Sequence, residues 1–349
     1  MKKLFVFTFF ITSSIYPLIA QQAYYNDVDL TLTGQDLYFE LQNKIDQASA
    51  TFTYEDARFS AEVTDEDTQN NSNILLVYGF NDADGNCTTD RSRNKNAFGG
   101  SGCEWNREHV FARSNANPSM GSASNATTGI AADPHNIRPS DQQMNNDKGN
   151  RLFAAGTGDA GVLGTGNWYP GDEWKGDVAR MMMYMYTRYG DRCLPSLMGV
   201  GPLEGSTEML QLFLQWNVED PVSDFEDQRN PHLENVYGNR NPFIDNPYLA
   251  TLIWGGPVAE DRWNLLSVSE GNVNTTTLYP NPASEVMYLF SATKNIKKVK
   301  VYSVSGQLIT TYLNVEPNQA MDISKLAPGL YLFSINSEEE SSYKKVIIQ

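Results

Sequence analysis

Two short stretches of the chain hold most of the residues able to move a proton or hold a cation. "CEWNREHVFARS", Cys103 to Ser114, sets Glu108 beside His109, and "AADPHNIRPSDQQMNNDKGNR", Ala131 to Arg151, sets His135 beside Asn136. Only three histidines occur in 349 residues, so two imidazoles here make a concentration. A neutral imidazole accepts a proton near neutral pH. One carboxylate and one amide oxygen can hold a Mg²⁺-like cation whose other positions are filled by water. Guanidinium groups grip phosphate. Together these groups suit the attack of water on a phosphodiester, with His109 as general base and Glu108 and Asn136 on the cation. Arg107, Arg113, Arg138 and Arg151 are candidates for holding phosphate. Arg138, two residues from Asn136, is the first choice at the reacting group, with the other three binding substrate.

The nearby polar residues have plainer roles. His135 reads as a structural neighbour of the site, and His232 as a surface or packing residue. Asp133 reads as a turn cap, Arg180 as half of a structural ion pair, and Asn239, Arg240 and Asn241 as a segment satisfying buried backbone groups.

Positioning these groups requires a strand, a loop, a second strand and a helix. "ARSNANPSMGSASNATTGIAA" is loop-like, and Ser140 after Pro139 is an N-cap type of residue from which a helix can start. Glu108 and His109 are adjacent, so on a regular strand they point to opposite faces. Both serve one site only where the strand bends or ends, as at a bulge. Elsewhere, apolar spacing predicts helices over 33–48, with Leu37, Phe39, Leu41 and Ile45, over 175–190, rich in methionine, and over 207–217. "YLATLIWGG" predicts a short buried helix or turn, and "NILLVYGF" (73–80) a buried strand. Asp82, Asp84 and Asn86 lack the full calcium-loop pattern and read as a turn.

Composition bounds the partners. With 40% hydrophobic and 19% charged residues, the chain is a folded globular protein. Its formal net charge of −16 argues against a module that holds nucleic acid by bulk charge. It does not argue against an enzyme that neutralises one phosphate locally. Between Cys103 and Arg151, five acids (Glu104, Glu108, Asp133, Asp141, Asp147) are balanced by five bases (Arg107, Arg113, Arg138, Lys148, Arg151), a relative enrichment in positive charge.

"MKKLFVFTFFITSSIYPLIAQQ" has Lys2 and Lys3, an apolar run and then Ala20, so residues 1–20 are expected to be a cleaved signal peptide. Thr12, Ser13, Ser14 and Pro17 interrupt that run, so no stable span is expected in the mature protein. In an exported chain, Cys87 and Cys103 can close a local loop, and pairing of either with Cys193 is the alternative. Residues 266–277 read as a linker. Residues 278–349 alternate apolar and polar types with turns at Pro-Asn-Pro, Ser-Gly and Pro-Gly, the pattern of a small all-β sandwich domain.

Two resemblances follow. "WNREHVFARS" with "DPHNIRPSDQQMNNDKGNR", supported by "LTGQDLYFELQNKI", "KGDVARMMMYMYTRYG" and "RNPHLENVYGNRNPFIDNP", resembles the endonuclease I family over residues 24–265. That likeness implies an α+β domain with a His-Me finger (ββα-metal) site. It also implies a secreted, metal-dependent endonuclease that cuts DNA, and RNA as well, to 5′-phosphate ends without sequence preference. The cation would be Mg²⁺, with Ca²⁺ or Mn²⁺ as alternatives. His109 corresponds to the base, and Glu108 and Asn136 to the cation ligands. Pro134 and the lack of a proline after His109 depart from the family's pattern. "YPNPASE", "VKVYSVSGQLI", "LAPGLYLFSI" and "KKVIIQ" resemble the C-terminal sorting domain of type IX secretion substrates. This implies passage through the periplasm of a Gram-negative bacterium to the medium or outer cell surface, with the type IX machinery as partner. The rival readings are a secreted binding or adhesion protein on a catalytically inactive nuclease scaffold, and a metallophosphodiesterase acting on small substrates.

Overall fold

The computed structural model describes residues 22–100, 102–265, 277–290, 296–303, 307–316, 319–337 and 341–349. The expected signal peptide (1–20) and all but the last residue of the expected linker (266–277) lie outside the described residues. Two compact units divide at Leu265 and Leu266.

In the first unit, α1 (Gly34–Ile45) buries Leu37, Tyr38, Leu41 and Ile45. Phe39, expected on that stripe, is 51% exposed instead; Tyr38 takes the core position one residue earlier. Next, α2 (Tyr54–Thr64) opens with a reciprocal capping box in which Thr53 accepts from the Asp56 N–H and Asp56 accepts from that of Thr53. The expected strand 73–80 is shorter: β1 (Asn73–Leu75) pairs antiparallel with β2 (Ser92–Asn94). The chain then turns sharply, with Tyr78 at φ +74°, a conformation that strains a bulky side chain. The segment from Asp82 to Asn86 is a turn: Asp82 accepts from the backbone of Arg91 and Ser92, and Asp84 from that of Asn86.

At the centre of the unit, β3 (Trp105–His109) pairs antiparallel with β4 (Ile137–Asp141), in register from Trp105↔Asp141 to His109↔Ile137. Directly after β4 comes α3 (Gln142–Lys148). Its N-cap is Asp141, whose carboxylate accepts from the Gln143 and Met144 N–H groups. Ser140, expected in that role, stays in the strand and donates to the Val77 carbonyl. A small hairpin, β5 (Gly161–Val162) with β6 (Trp168–Tyr169), leads to α4 (Lys175–Tyr189). This helix is the core of the unit, with Met181, Met182, Met183 and Met185 buried. It ends where Gly190 takes a positive φ of 53°. Of the helices that follow, α5 (Gln211–Glu219) and α8 (Pro242–Asp245) pack on it, α6 (Asp224–Asp227) and α7 (Arg229–Val236) pack together, with α7 against α2, and α9 (Tyr248–Trp254) lies against α1. Among the described residues, no helix is long and apolar enough to cross a membrane.

The second unit is all β. A four-stranded antiparallel sheet and a three-stranded one share a core that includes Met287, Leu289, Val299, Val301, Phe333, Ile335 and Val346. Alternate residues of strands such as Val286–Phe290 and Gly329–Ser337 fill it, as the period of two predicts, whereas the edge strand Leu308–Val315 leaves Leu308 and Leu313 exposed.

Candidate active site

The strand pair β3–β4 and helix α3 bring the two sequence stretches together. His109 ends β3, with 7% of its surface exposed. Its Nε2–H donates to the Ala131 carbonyl at 2.8 Å. A carbonyl only accepts, so the lone pair of the neutral ring sits on Nδ1. Tyr54, at the start of α2, stacks on the imidazole with centroids 5.2 Å apart and planes at 20°. Tyr54 is itself pinned: its N–H donates to the Thr127 carbonyl at 2.7 Å. Burial pushes His109 down to about 4, and the charges of Arg113, Arg107 and Lys148 push the same way.

Glu108 faces different neighbours. The Tyr78 hydroxyl stands 3.4 Å from its Oε1, and Lys148 Nζ 3.5 Å. Both are long for such contacts. β3 keeps regular register to His109, with no bulge, and the two adjacent side chains have separate neighbours: Tyr78 and Lys148 for Glu108, Tyr54 and the Ala131 carbonyl for His109. Burial pushes the Glu108 carboxyl up to about 7, against the pull of Lys148. Burial likewise lowers Lys148.

Asn136 is not a free ligand. Its Oδ1 accepts from the Phe111 N–H at 2.7 Å, and its Nδ2 donates to the Phe111 carbonyl at 3.1 Å. With no exposed surface, the amide clips the chain leaving β3 to the chain entering β4. A different amide reaches the β3 side of α3. Asn145 lies one turn before Lys148, is half-buried, and donates through Nδ2 to Asn106 Oδ1 and, at 3.4 Å, to the Arg107 carbonyl. No hydrogen bond to its Oδ1 is present among the described residues.

Among the described residues, no three His, Cys, Asp or Glu side chains converge as a metal cluster. A Mg²⁺-like ion needs only one or two protein oxygens beside water and substrate. Glu108 fits that demand: it is a buried carboxyl group whose one ion-pair partner among the described residues, Lys148, is a long 3.5 Å away. The Asn145 Oδ1 is the amide oxygen that could join it.

The arginines divide sharply. Arg138 is 1% exposed and pairs with Asp65 and, at 2.8 Å, with Asp177. Burial opposes its charge, yet these two carboxylates hold its pKa above the ordinary value. It belongs to an interior ion cluster with Arg180, Glu226 and Arg229, which corrects its expected place at the reacting phosphate. Arg180 is structural, as expected. Arg229 also donates to the carbonyls of Pro134 and Ile137, so the cluster fixes the turn before β4. In contrast, no carboxylate ion pair is present for Arg107, Arg113, Arg151 or Arg192 among the described residues. Arg107 lies with its guanidinium carbon 3.6 Å from the Tyr54 ring centroid, and its Nη2 donates to Asn125. Arg113 donates to the Gly121 carbonyl at 2.6 Å. Arg151, just beyond α3, donates to the Asp147 carbonyl.

The other residues are supports. Asp133 has no exposed surface and accepts from the His135 N–H, the Tyr189 hydroxyl and Arg188; it caps the turn, as its sequence suggests. His135 donates to Asn239 Oδ1 at 3.0 Å. Asn241 donates to the Arg180 carbonyl and accepts from the Phe243 N–H, so it serves buried backbone groups. His232 is half-buried on α7. Cys87 and Cys103 form a disulfide, Cα atoms 5.6 Å apart, and Cys193 is free and buried. The bridge ties the segment between β1 and β2 to the residues just before β3.

The description "Endonuclease I" matches residues 33–248, a span that contains the whole of this geometry. The chain belongs to the endonuclease I family. Residues 277–349 match a secretion system C-terminal sorting domain. An extracellular ribonuclease of Bacillus subtilis (strain 168) is 37% identical over 264 residues, 70% of this chain and 84% of that protein. The extracellular ribonuclease of Bacillus amyloliquefaciens is 41% identical over 206 residues, 55% of this chain and 64% of that protein. A periplasmic deoxyribonuclease of Aeromonas hydrophila is 26% identical over 126 residues, 33% of this chain and 48% of that protein. Sequence alone singled out the endonuclease I motif, but it gave no sign of Tyr54 or Tyr78, which lie far from it. The i, i+3 spacing of Asn145 and Lys148 on a helix following the second strand could have marked both.

Proposed function

We propose that the protein is a secreted, cation-dependent endonuclease that hydrolyses RNA and DNA without base specificity, and that β3, β4 and α3 are its ββα-metal motif. The observation that carries this reading is His109: an imidazole fixed by the Ala131 carbonyl and the Tyr54 ring, near Arg107 and Arg113, which have no carboxylate ion pair among the described residues. A depressed pKa keeps the ring unprotonated through the neutral range. An anionic phosphate docked beside it raises its basicity toward that of a working base.

In this mechanism Arg107 and Arg113 orient the phosphodiester, and Nδ1 of His109 takes the proton of the attacking water. The water adds to phosphorus opposite the departing 3′-oxygen, which leaves a 5′-phosphate end. Glu108 and Asn145 would hold the divalent cation, which when bound supplies positive charge for the departing oxygen. Tyr54 and the Asn136 clip keep the base aligned. Export by type IX secretion, to the medium or the outer surface of a Gram-negative cell, is supported by the sorting-domain match.

The test is incubation of supercoiled plasmid and of a long RNA with Mg²⁺, Ca²⁺, Mn²⁺ or EDTA, followed by end analysis. Nicking that EDTA abolishes, with 5′-phosphate products, is expected. Cutting that persists in EDTA removes the cation from the reading. Failure to cut either polymer with any ion supports a binding protein on an inactive scaffold.

A further inference from the structure

Beyond the reacting phosphate, a line of alternating rings and guanidinium groups runs from His109 along one side of α2. After His109 and Tyr54 comes Arg107, whose guanidinium lies on Tyr54 and stands 5.5 Å from the centroid of Phe98. On the Phe98 ring lies Arg58, 4.0 Å away, and the same guanidinium is 5.0 Å from the ring of Phe59. Phe98 is seated edge-on against Trp105, the first residue of β3, at 4.6 Å, so the line is anchored to the catalytic strand. Phe59 closes it, 52% exposed, at the lip of a cleft of about 420 Å³.

Such a line is costly to build for packing alone. Arg58 and Arg107 are like charges, and Arg58 together with burial depresses Arg107. Among the described residues, Arg58 has only a long 3.5 Å pair with Glu62, and its Nε is buried without a hydrogen-bond partner. The acids nearest on the helix are engaged elsewhere: Asp56 in the capping box and Glu55 with Asn125. Positive planes interleaved with rings suit a flexible polyanion whose bases are free to stack.

We propose that Arg58, Phe59, Phe98 and Arg107 form a track for a single polynucleotide strand flanking the scissile phosphate. The guanidinium groups meet successive phosphates and Phe59 stacks on a base. The inference rests on the nuclease reading for its ligand, but binding can be read without cleavage. Duplexes keep their bases stacked internally, so the track favours single strands.

The experiment measures fluorescence anisotropy of a 12-nucleotide single strand, DNA or RNA, with the full-length protein in EDTA. Phe59→Ala is expected to weaken binding about tenfold and to weaken duplex binding less. Arg58→Gln is expected to lower the slope of log affinity against log salt by about 0.7. Glu62→Gln, which releases Arg58, is expected to tighten single-strand binding, a gain that misfolding cannot mimic. Single-strand affinity unchanged in both Phe59→Ala and Glu62→Gln, or equal losses on single strand and duplex, overturns the track. In the same preparations with Mg²⁺, kcat/KM should fall more for the 12-mer than for a dinucleotide. If the wild type cuts neither substrate, the hydrolytic reading fails on its own, and the anisotropy result still decides the track.

Discussion

The ring of Tyr54 stacks on the imidazole of His109 at 5.2 Å, nearly parallel, and the guanidinium carbon of Arg107 lies 3.6 Å from the centroid of the same Tyr54 ring. A residue of helix α2, more than fifty positions upstream, therefore sets the attitude of the proposed base. Tyr54→Phe should keep most activity, because the stack survives. Tyr54→Ala should lower kcat by about ten- to a hundredfold, the scale of a misplaced catalytic group. Single-turnover kinetics on plasmid DNA read the difference. Equal rates for the Phe and Ala variants would remove Tyr54 from the alignment.

Glu108, raised to about 7 by burial, must lose its proton before it can hold a cation. Affinity for Mn²⁺ should therefore fall about tenfold per pH unit below about 7 and level off above it. Glu108→Gln should bind weakly and without this slope. Asn145→Ala should weaken binding while leaving the fold intact, whereas Asn136→Ala should chiefly destabilise by breaking the Phe111 clip. Calorimetric titration with Mn²⁺ and thermal melts separate the cases.

Arg138 and Arg113 should exchange the roles that sequence proximity suggests. Arg138→Ala takes one buried cation from Asp65 and from Asp177, leaving them to Arg229 and, at 3.5 Å, to Arg180, and a broken buried pair typically costs about 3–5 kcal/mol. Arg113→Ala should barely change the urea midpoint but lower kcat/KM about tenfold or more. A soluble, fully stable Arg138→Ala protein would contradict the ion cluster's structural role.

His135 is buried and held down to about 3 by desolvation. Between about pH 6.5 and pH 3 the unfolded chain carries a proton here that the folded chain refuses, so this residue's contribution to stability falls as pH falls. His135→Gln should flatten the dependence by one proton, about 1.4 kcal/mol per pH unit. Urea unfolding at pH 7 and pH 5 gives the slopes. Parallel pH dependences in both proteins would show that the imidazole ionises freely.

Much of this was legible in the residues. The strand–loop–strand–helix order, the methionine-rich core helix and the all-β C-terminal region follow from periodicity and turn chemistry, and Cys87 with Cys103 from their local spacing. What failed shows why. Asn136 and Arg138 are close in sequence to the site, but proximity along a chain does not say which groups neutralise one another. For Arg138 that was decided by Asp65 and Asp177, and for Asn136 by the backbone of Phe111, none of which a local pattern connects to β4. Helix phase misled at Phe39, since its neighbour Tyr38 is equally apolar and only tertiary packing chooses between them. Tyr54 and Arg58 carry no motif at all; their meaning comes from α2 lying beside β3.

The most direct test of the central claim compares wild type with His109→Ala on supercoiled plasmid and RNA in Mg²⁺, both proteins checked for equal melting behaviour. A base that takes the proton of the attacking water should cost about 10²- to 10⁴-fold when removed, with partial recovery in added imidazole. Cutting at the same rate by both proteins would contradict it, leaving the buried ring beneath Tyr54 as packing alone.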